Sequence, residues 1–136
     1  MTGKPLRAPA DPARVVKDYL ATVIPALVGS PAPTFGMVLP DAWTPTDAPV
    51  VVVFDDTGPM TWPVTTSPTL RITTWAAGRD RSRLIAGRCL GVLLSHRIDG
   101  VATITQPTLL LEAVDDRNHG LMCSFTVSAQ ARTFAL

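Results

Sequence analysis

Two hydrophobic periods meet in the middle of the chain. Thr69-Leu70-Arg71-Ile72-Thr73-Thr74-Trp75 alternates apolar with polar and β-branched residues, which predicts a half-buried strand. After an Ala76-Ala77-Gly78 joint, Leu84, Ile85, Cys89, Val92, Leu93 and His96 recur every three or four residues, the period of a helix with one buried stripe. A strand feeding an amphipathic helix is expected to set the two layers of the domain.

An earlier stripe of Val15, Val16, Tyr19, Leu20, Val23, Ile24 and Leu27 predicts a first helix. Asp11 suits its N-cap and Pro12 its first position, where the missing N–H costs nothing, and Pro25 should kink or end it. Phe35 to Leu39 suggests a short strand closed by Pro40, and Asp41 to Pro49 an ordered loop anchored by Trp43. Val50-Val51-Val52-Val53-Phe54 shows no alternation, so it should be a strand buried on both faces. Asp55 to Pro59 is turn chemistry, and Met60 to Pro68 a ragged hairpin.

Beyond the second helix, Asp99-Gly100 marks a turn and Val101 to Ile104 a short strand. Pro107 to Val114 reads as a strand with Leu109, Leu111 and Ala113 on one face, joined by the polar loop Asp115 to Gly120 to the next strand. From Leu121 to Arg132 the alternation is strict. Leu121, Cys123, Phe125, Val127, Ala129 and Ala131 predict a dry face, and Met122, Ser124, Thr126, Ser128, Gln130 and Arg132 a wet one. The order α-β-β-(β)-β-α-β-β-β implies an α+β fold, a mainly antiparallel sheet with two helices packed on one face. Residues 1–10, Pro-rich and aperiodic, are expected to be a flexible arm ahead of a single domain over residues 11–136.

Composition changes this picture in one respect. Of 136 residues 46% are hydrophobic and only 17% charged, against about a quarter charged in an ordinary domain. Subunits that hide surface in an assembly tolerate that shortage, so oligomerisation is expected. A net charge of +1 argues against a dedicated nucleic-acid binder. Met1 to Pro12 holds no apolar run of signal-peptide length, and no stretch approaches the roughly 18 apolar residues of a membrane span. The expectation is a soluble protein, made in the cytoplasm, with no membrane partner. Cys89 and Cys123 read as two reduced core thiols.

Candidate chemistry is sparse. Asp56-Thr57-Gly58 after an apolar strand resembles the motif of pepsin-like and retroviral aspartic proteases, and Ile85-Ala86-Gly87-Arg88 their later apolar-Gly-Arg element. Pro59 stands where those enzymes have a small residue, and the two motifs lie too close together, so a hairpin turn is the reading adopted. Cys89, His96, His119 and Cys123 lack the pairing of a zinc site. Cys89 and His96 share the buried stripe expected of core residues rather than a nucleophile and its base. No catalytic, metal-binding or cofactor-binding residue is assigned, and the chain is not read as an enzyme. What remains is charge: Arg79, Arg81 and Arg83 crowd a helix N-terminus, where the macrodipole disfavours them. With Arg88 and Arg132 they form the candidate interface, the alternative being a solvated helix end.

The order of segments resembles the tail terminator (tail completion) proteins of long-tailed bacteriophages, particularly those of actinobacteria. The likeness rests on Asp11-Pro12-Ala13-Arg14-Val15-Val16-Lys17-Asp18-Tyr19-Leu20, on Leu39-Pro40-Asp41-Ala42-Trp43, on Pro49 to Val53, on Pro68 to Ala76 running into Arg79, and on the long final strand. That resemblance implies an α+β virion subunit that forms a hexameric ring on the tail tube, ends tube polymerisation and makes the head–tail joining surface. Its implied partners are further copies of itself, the tail tube protein and a neck or head-completion protein. DNA would pass through the lumen without sequence-specific binding. Another neck or connector subunit, or a small cytoplasmic α+β binding module, are the alternatives.

Overall fold

The computed structural model of the chain describes residues 3–136. It shows an α+β fold in which helices cover one face of a mostly antiparallel sheet. Among the described residues ten strands and three helices follow one another: β1 (Arg7–Ala8), α1 (Pro12–Val23), α2 (Pro25–Val28), β2 (Thr34–Gly36), β3 (Val50–Asp55), β4 (Met60–Thr61), β5 (Thr65–Thr66), β6 (Thr69–Ala76), α3 (Arg79–Ser95), β7 (Thr103–Thr105), β8 (Leu111–Val114), β9 (Leu121–Arg132) and β10 (Phe134–Ala135).

β9 is the strand on which the others are laid. Along one flank it pairs with β6, from Thr69↔Ser128 to Ala76↔Leu121, and then with β5 at Ala131 and Arg132. Along the other it pairs with β8 at Leu121 to Ser124 and with β7 at Ser128 to Gln130. β3 continues the sheet beyond β6, and β2 joins β3 as the parallel pair. The alternation of β9 is realised in burial from Cys123 onward, Cys123, Phe125, Val127, Ala129 and Ala131 all being buried; Leu121 is only half-buried, and Met122, on the face expected to be wet, packs against Val50, Val52 and Trp75.

α1 and α3 lie on the face those residues share, and the main core forms between them. Val16 and Leu20 of α1 and Ile85, Cys89 and Val92 of α3 meet Val51, Val53, Leu70, Ile72, Phe125 and Val127 of the sheet. The opposite face carries a smaller core, in which Trp43 closes over Val50, Val52 and Trp75. The Trp43 indole N–H donates to the Ala48 carbonyl at 2.8 Å, so the loop folds around its own anchor. This second core explains the four unalternating valines: Val50 to Val53 are buried because each face of β3 has its own cover.

Local chemistry sets the helix limits. The Asp11 carboxylate accepts the Arg14 backbone N–H at 3.3 Å, Pro12 opens α1, and Pro25 divides it from the single turn of α2.

Several expectations need correction. The arm is not free at Arg7–Ala8: that pair forms an antiparallel ribbon with Phe134–Ala135, and the Arg7 guanidinium donates to the Thr133 hydroxyl at 2.9 Å and carbonyl at 2.8 Å. Met1 and Thr2 of that arm lie outside the described residues. The buried stripe of α3 is Ser82, Ile85, Ala86, Cys89, Val92 and Leu93; Leu84 and His96 stand outside it. Instead, the His96 Nδ1 lies 2.6 Å from the Tyr19 hydroxyl, tying the end of α3 to α1. The strand expected from Pro107 shrinks to Leu111–Val114, and its Leu109 and Leu111 face solvent at 92% and 70% exposure. The Phe35 strand ends at Gly36, leaving Val38 exposed.

Candidate interaction surface

Three of the five candidate arginines are occupied within the chain. Arg81 turns toward the loop after α2, where its guanidinium donates to the carbonyls of Val28, Gly29 (2.9 Å) and Pro31 (2.8 Å). A cation on the open carbonyls of a helix end is favourable placement, and it makes Arg81 a clamp between α2 and α3. It cannot serve as the outward contact expected of it.

Arg79 and Arg83 lie one turn apart on α3 and converge on Glu112 of β8. Arg79 Nε reaches one carboxylate oxygen at 2.8 Å, and Arg83 Nη1 the other at 2.8 Å. Hydrogen bonds from Arg83 and then Arg79 hold the Glu112 carboxyl below the usual range, and the same carboxylate raises Arg79. Asp80 adds a further contact to Arg79 at 3.4 Å. The helix end is thus neutralised locally by an acid from the sheet, and the basic patch is smaller than the sequence suggests. Arg88 and Arg132 are exposed and form no hydrogen bond or ion pair among the described residues, and they lie on separate elements, α3 and β9.

The other candidate groups hold structural places. Asp56 and Thr57 occupy the turn after β3, where Thr57 has φ 63°, and Asp56 is ion-paired with Arg71 at 3.1 Å. Arg71 in turn lies over the Phe54 ring, 4.2 Å from its centre. Ile85-Ala86-Gly87-Arg88 lies inside helix α3, with Ile85 and Ala86 buried. Burial pushes the Cys89 thiol up to about 12, far from a nucleophile at neutral pH. Cys123 is raised too, first by desolvation and then by Glu112. Among the described residues no three His, Cys, Asp or Glu side chains gather as metal ligands. An open cavity of about 430 Å³ lies between the Leu39–Thr44 loop and Arg117, Asn118 and His119.

The surface that sequence reasoning missed is apolar. Three segments come together at the Arg132 end of β9. Thr133 donates its backbone N–H to the Val64 carbonyl at 2.9 Å and its hydroxyl to the Pro63 carbonyl; Leu136 N–H reaches the Leu6 carbonyl at 3.0 Å. This corner leaves Leu6, Met60, Trp62, Val64, Phe134 and Leu136 each about half exposed or more. Diagonally across the sheet, along the β8 edge, Leu109, Leu111 and Val114 are exposed as well. Exposed apolar groups clustered in this way mark contact surfaces, unlike those scattered singly. The sequence carries a signal for the corner: large apolar residues at 60, 62 and 64, in a segment too short and Pro-interrupted to build a buried strand.

No protein-family model matches the chain, and no curated protein matches it.

Proposed function

We propose that this chain is a structural virion protein of a long-tailed bacteriophage, a tail terminator that assembles as a ring on the tail tube. In this role it ends tube polymerisation and forms the surface on which the head-side neck docks, with DNA passing through the lumen. The reading combines the segment resemblance with one structural observation: large apolar side chains stand exposed at a corner and along an edge of a chain with only 17% charged residues. Such a surface suits a subunit whose working state is covered by neighbours. The α+β fold agrees with the fold the resemblance implies. The protein acts in this reading by assembly and not by catalysis, and its place is the tail–neck junction of the particle.

Electron microscopy tests it. Disruption of the gene should yield tails of uncontrolled length or tails without heads; normal virions would overturn the assignment. A second reading, a small binding module, draws on the cavity beside Arg117 and His119. It predicts a bound metabolite in native mass spectra of the protein purified from its host and a monomer in solution.

A further inference from the structure

We infer that copies of this chain join head to tail, the apolar corner of one copy seating on the β8 edge of the next. The inference rests on the assembly half of the reading above and not on its phage half.

Both surfaces belong to the same chain, yet they cannot meet within it. The corner is built where β9 reaches Ala131 and Arg132, on the flank shared with β5, whereas β8 lies against Leu121 to Ser124 on the opposite flank. Some eight to ten residues of extended strand separate them, about 30 Å at about 3.3 Å per residue. β8 pairs only with β9, so its outer backbone groups meet no other strand among the described residues. An open edge flanked by exposed leucines is a surface that needs cover.

Charge weighs against one of the possible pairings. The segments that make the corner, residues 3–10, 57–68 and 129–136, carry Lys4, Arg7 and Arg132 and no Asp or Glu. Asp56, just before them, is already paired with Arg71. Two corners placed face to face would therefore set like charges against each other, which disfavours a symmetric contact through that surface. Around the edge both signs of charge mix: Asp80, Glu112 and Asp116 stand with Arg79, Arg83, Arg88 and Arg117, while the buried Asp115 is turned to the Trp75 indole. Corner on edge joins the two apolar surfaces without that repulsion. Such a contact uses different patches on the two partners and so propagates, closing into a ring when the rotation permits.

Complementation between variants of the full chain tests this. The wild type should sediment as an oligomer at micromolar concentration. Trp62→Asp with Phe134→Asp should spoil the corner, and Leu109→Asp with Leu111→Asp the edge; all four positions are exposed, so circular dichroism should be unchanged. Each double variant alone should be a monomer. Mixed, they retain one sound corner and one sound edge between them and should form a one-to-one heterodimer. The inference is overturned if either variant keeps the wild-type mass, or if the mixture stays monomeric. A monomeric wild type also overturns it, while leaving standing a terminator that assembles only on its tail. Should a double variant lose its fold, disulfide trapping decides: Val64→Cys chains mixed with Leu111→Cys chains should cross-link to each other in preference to either with itself, and a failure to do so counts against the contact.

Discussion

Gly120 and Trp43 share a space that admits no further atom. A Cβ on residue 120 would stand 2.6 Å from Trp43 Cζ3, so Gly120→Ala must displace either the indole or the β8–β9 turn. The expected cost is about 1–3 kcal/mol, as for other overpacked sites, read as a lower urea midpoint; an unchanged midpoint would show the indole is not confined there. Phe125 is 1% exposed at the centre of the main core, and Phe125→Ala should remove about 3–5 kcal/mol. A loss below about 1 kcal/mol in the same denaturation series would mean the dry face of β9 is misassigned. Cys89 offers a chemical check. With its thiol pushed up to about 12 by burial, it should resist a thiol reagent at about pH 8 in the folded protein and react once urea opens the core. Prompt labelling of native Cys89 would contradict the packing of α3.

Among the links between elements, the α3–β8 tether is one that titrates. Glu112 binds Arg79 and Arg83 as a carboxylate, and its folded-state value lies below the ordinary one. The tether is therefore complete above the ordinary glutamate value of about 4.3 and is lost as pH falls through the lower folded value. In thermal melts the wild type should lose more stability over that acid interval than Glu112→Gln; parallel pH profiles would show that the exposed pairs contribute nothing, as many such pairs do. Elements with clean periods, and the one unbroken apolar run, were legible in the sequence: α1, β6, β9 and the valine strand β3 form where their patterns predict. α3 was legible as a helix but not in phase, because Ser82 and Ala86 face the sheet while Leu84 and Leu94 face water. Small residues pack close to a sheet without announcing themselves as hydrophobic. The alternation of Leu109 and Leu111 could not reveal their exposure, since an edge strand has neither face assured of cover. Pairings over long separations leave no local signal. Arg7 finds Thr133 across 126 positions and Arg83 finds Glu112 across 29, so the arginine cluster could be seen in the sequence and its neutralisation could not. Two of the segments that carry the resemblance, Leu39 to Trp43 and Pro68 to Ala76, prove to be scaffold: the first folds its anchor over the second core, and the second forms β6.

For the whole molecule, the apolar nature of the proposed junction sets its response to salt. Since corner and edge meet without net ion pairing, moderate salt should leave the oligomer mass unchanged in sedimentation, whereas a junction held together by ion pairs of Arg88 or Arg132 would dissociate as charges are screened. Retention of mass favours the apolar junction, and dissociation would redirect attention to the arginines. The position of β9 in the chain has a further consequence, for synthesis. The strand at the middle of the sheet is made after nearly every element it must join. While translation proceeds, β3 and β6 can pair with each other, but Leu70, Ile72 and the valines of β3 wait without the strand that completes their layer. Domains commonly fold as they leave the ribosome, and exposed strand edges at that stage invite aggregation. Here the nascent chain must carry its unfinished sheet until residues 121–132 emerge, so closure of the fold waits for that strand.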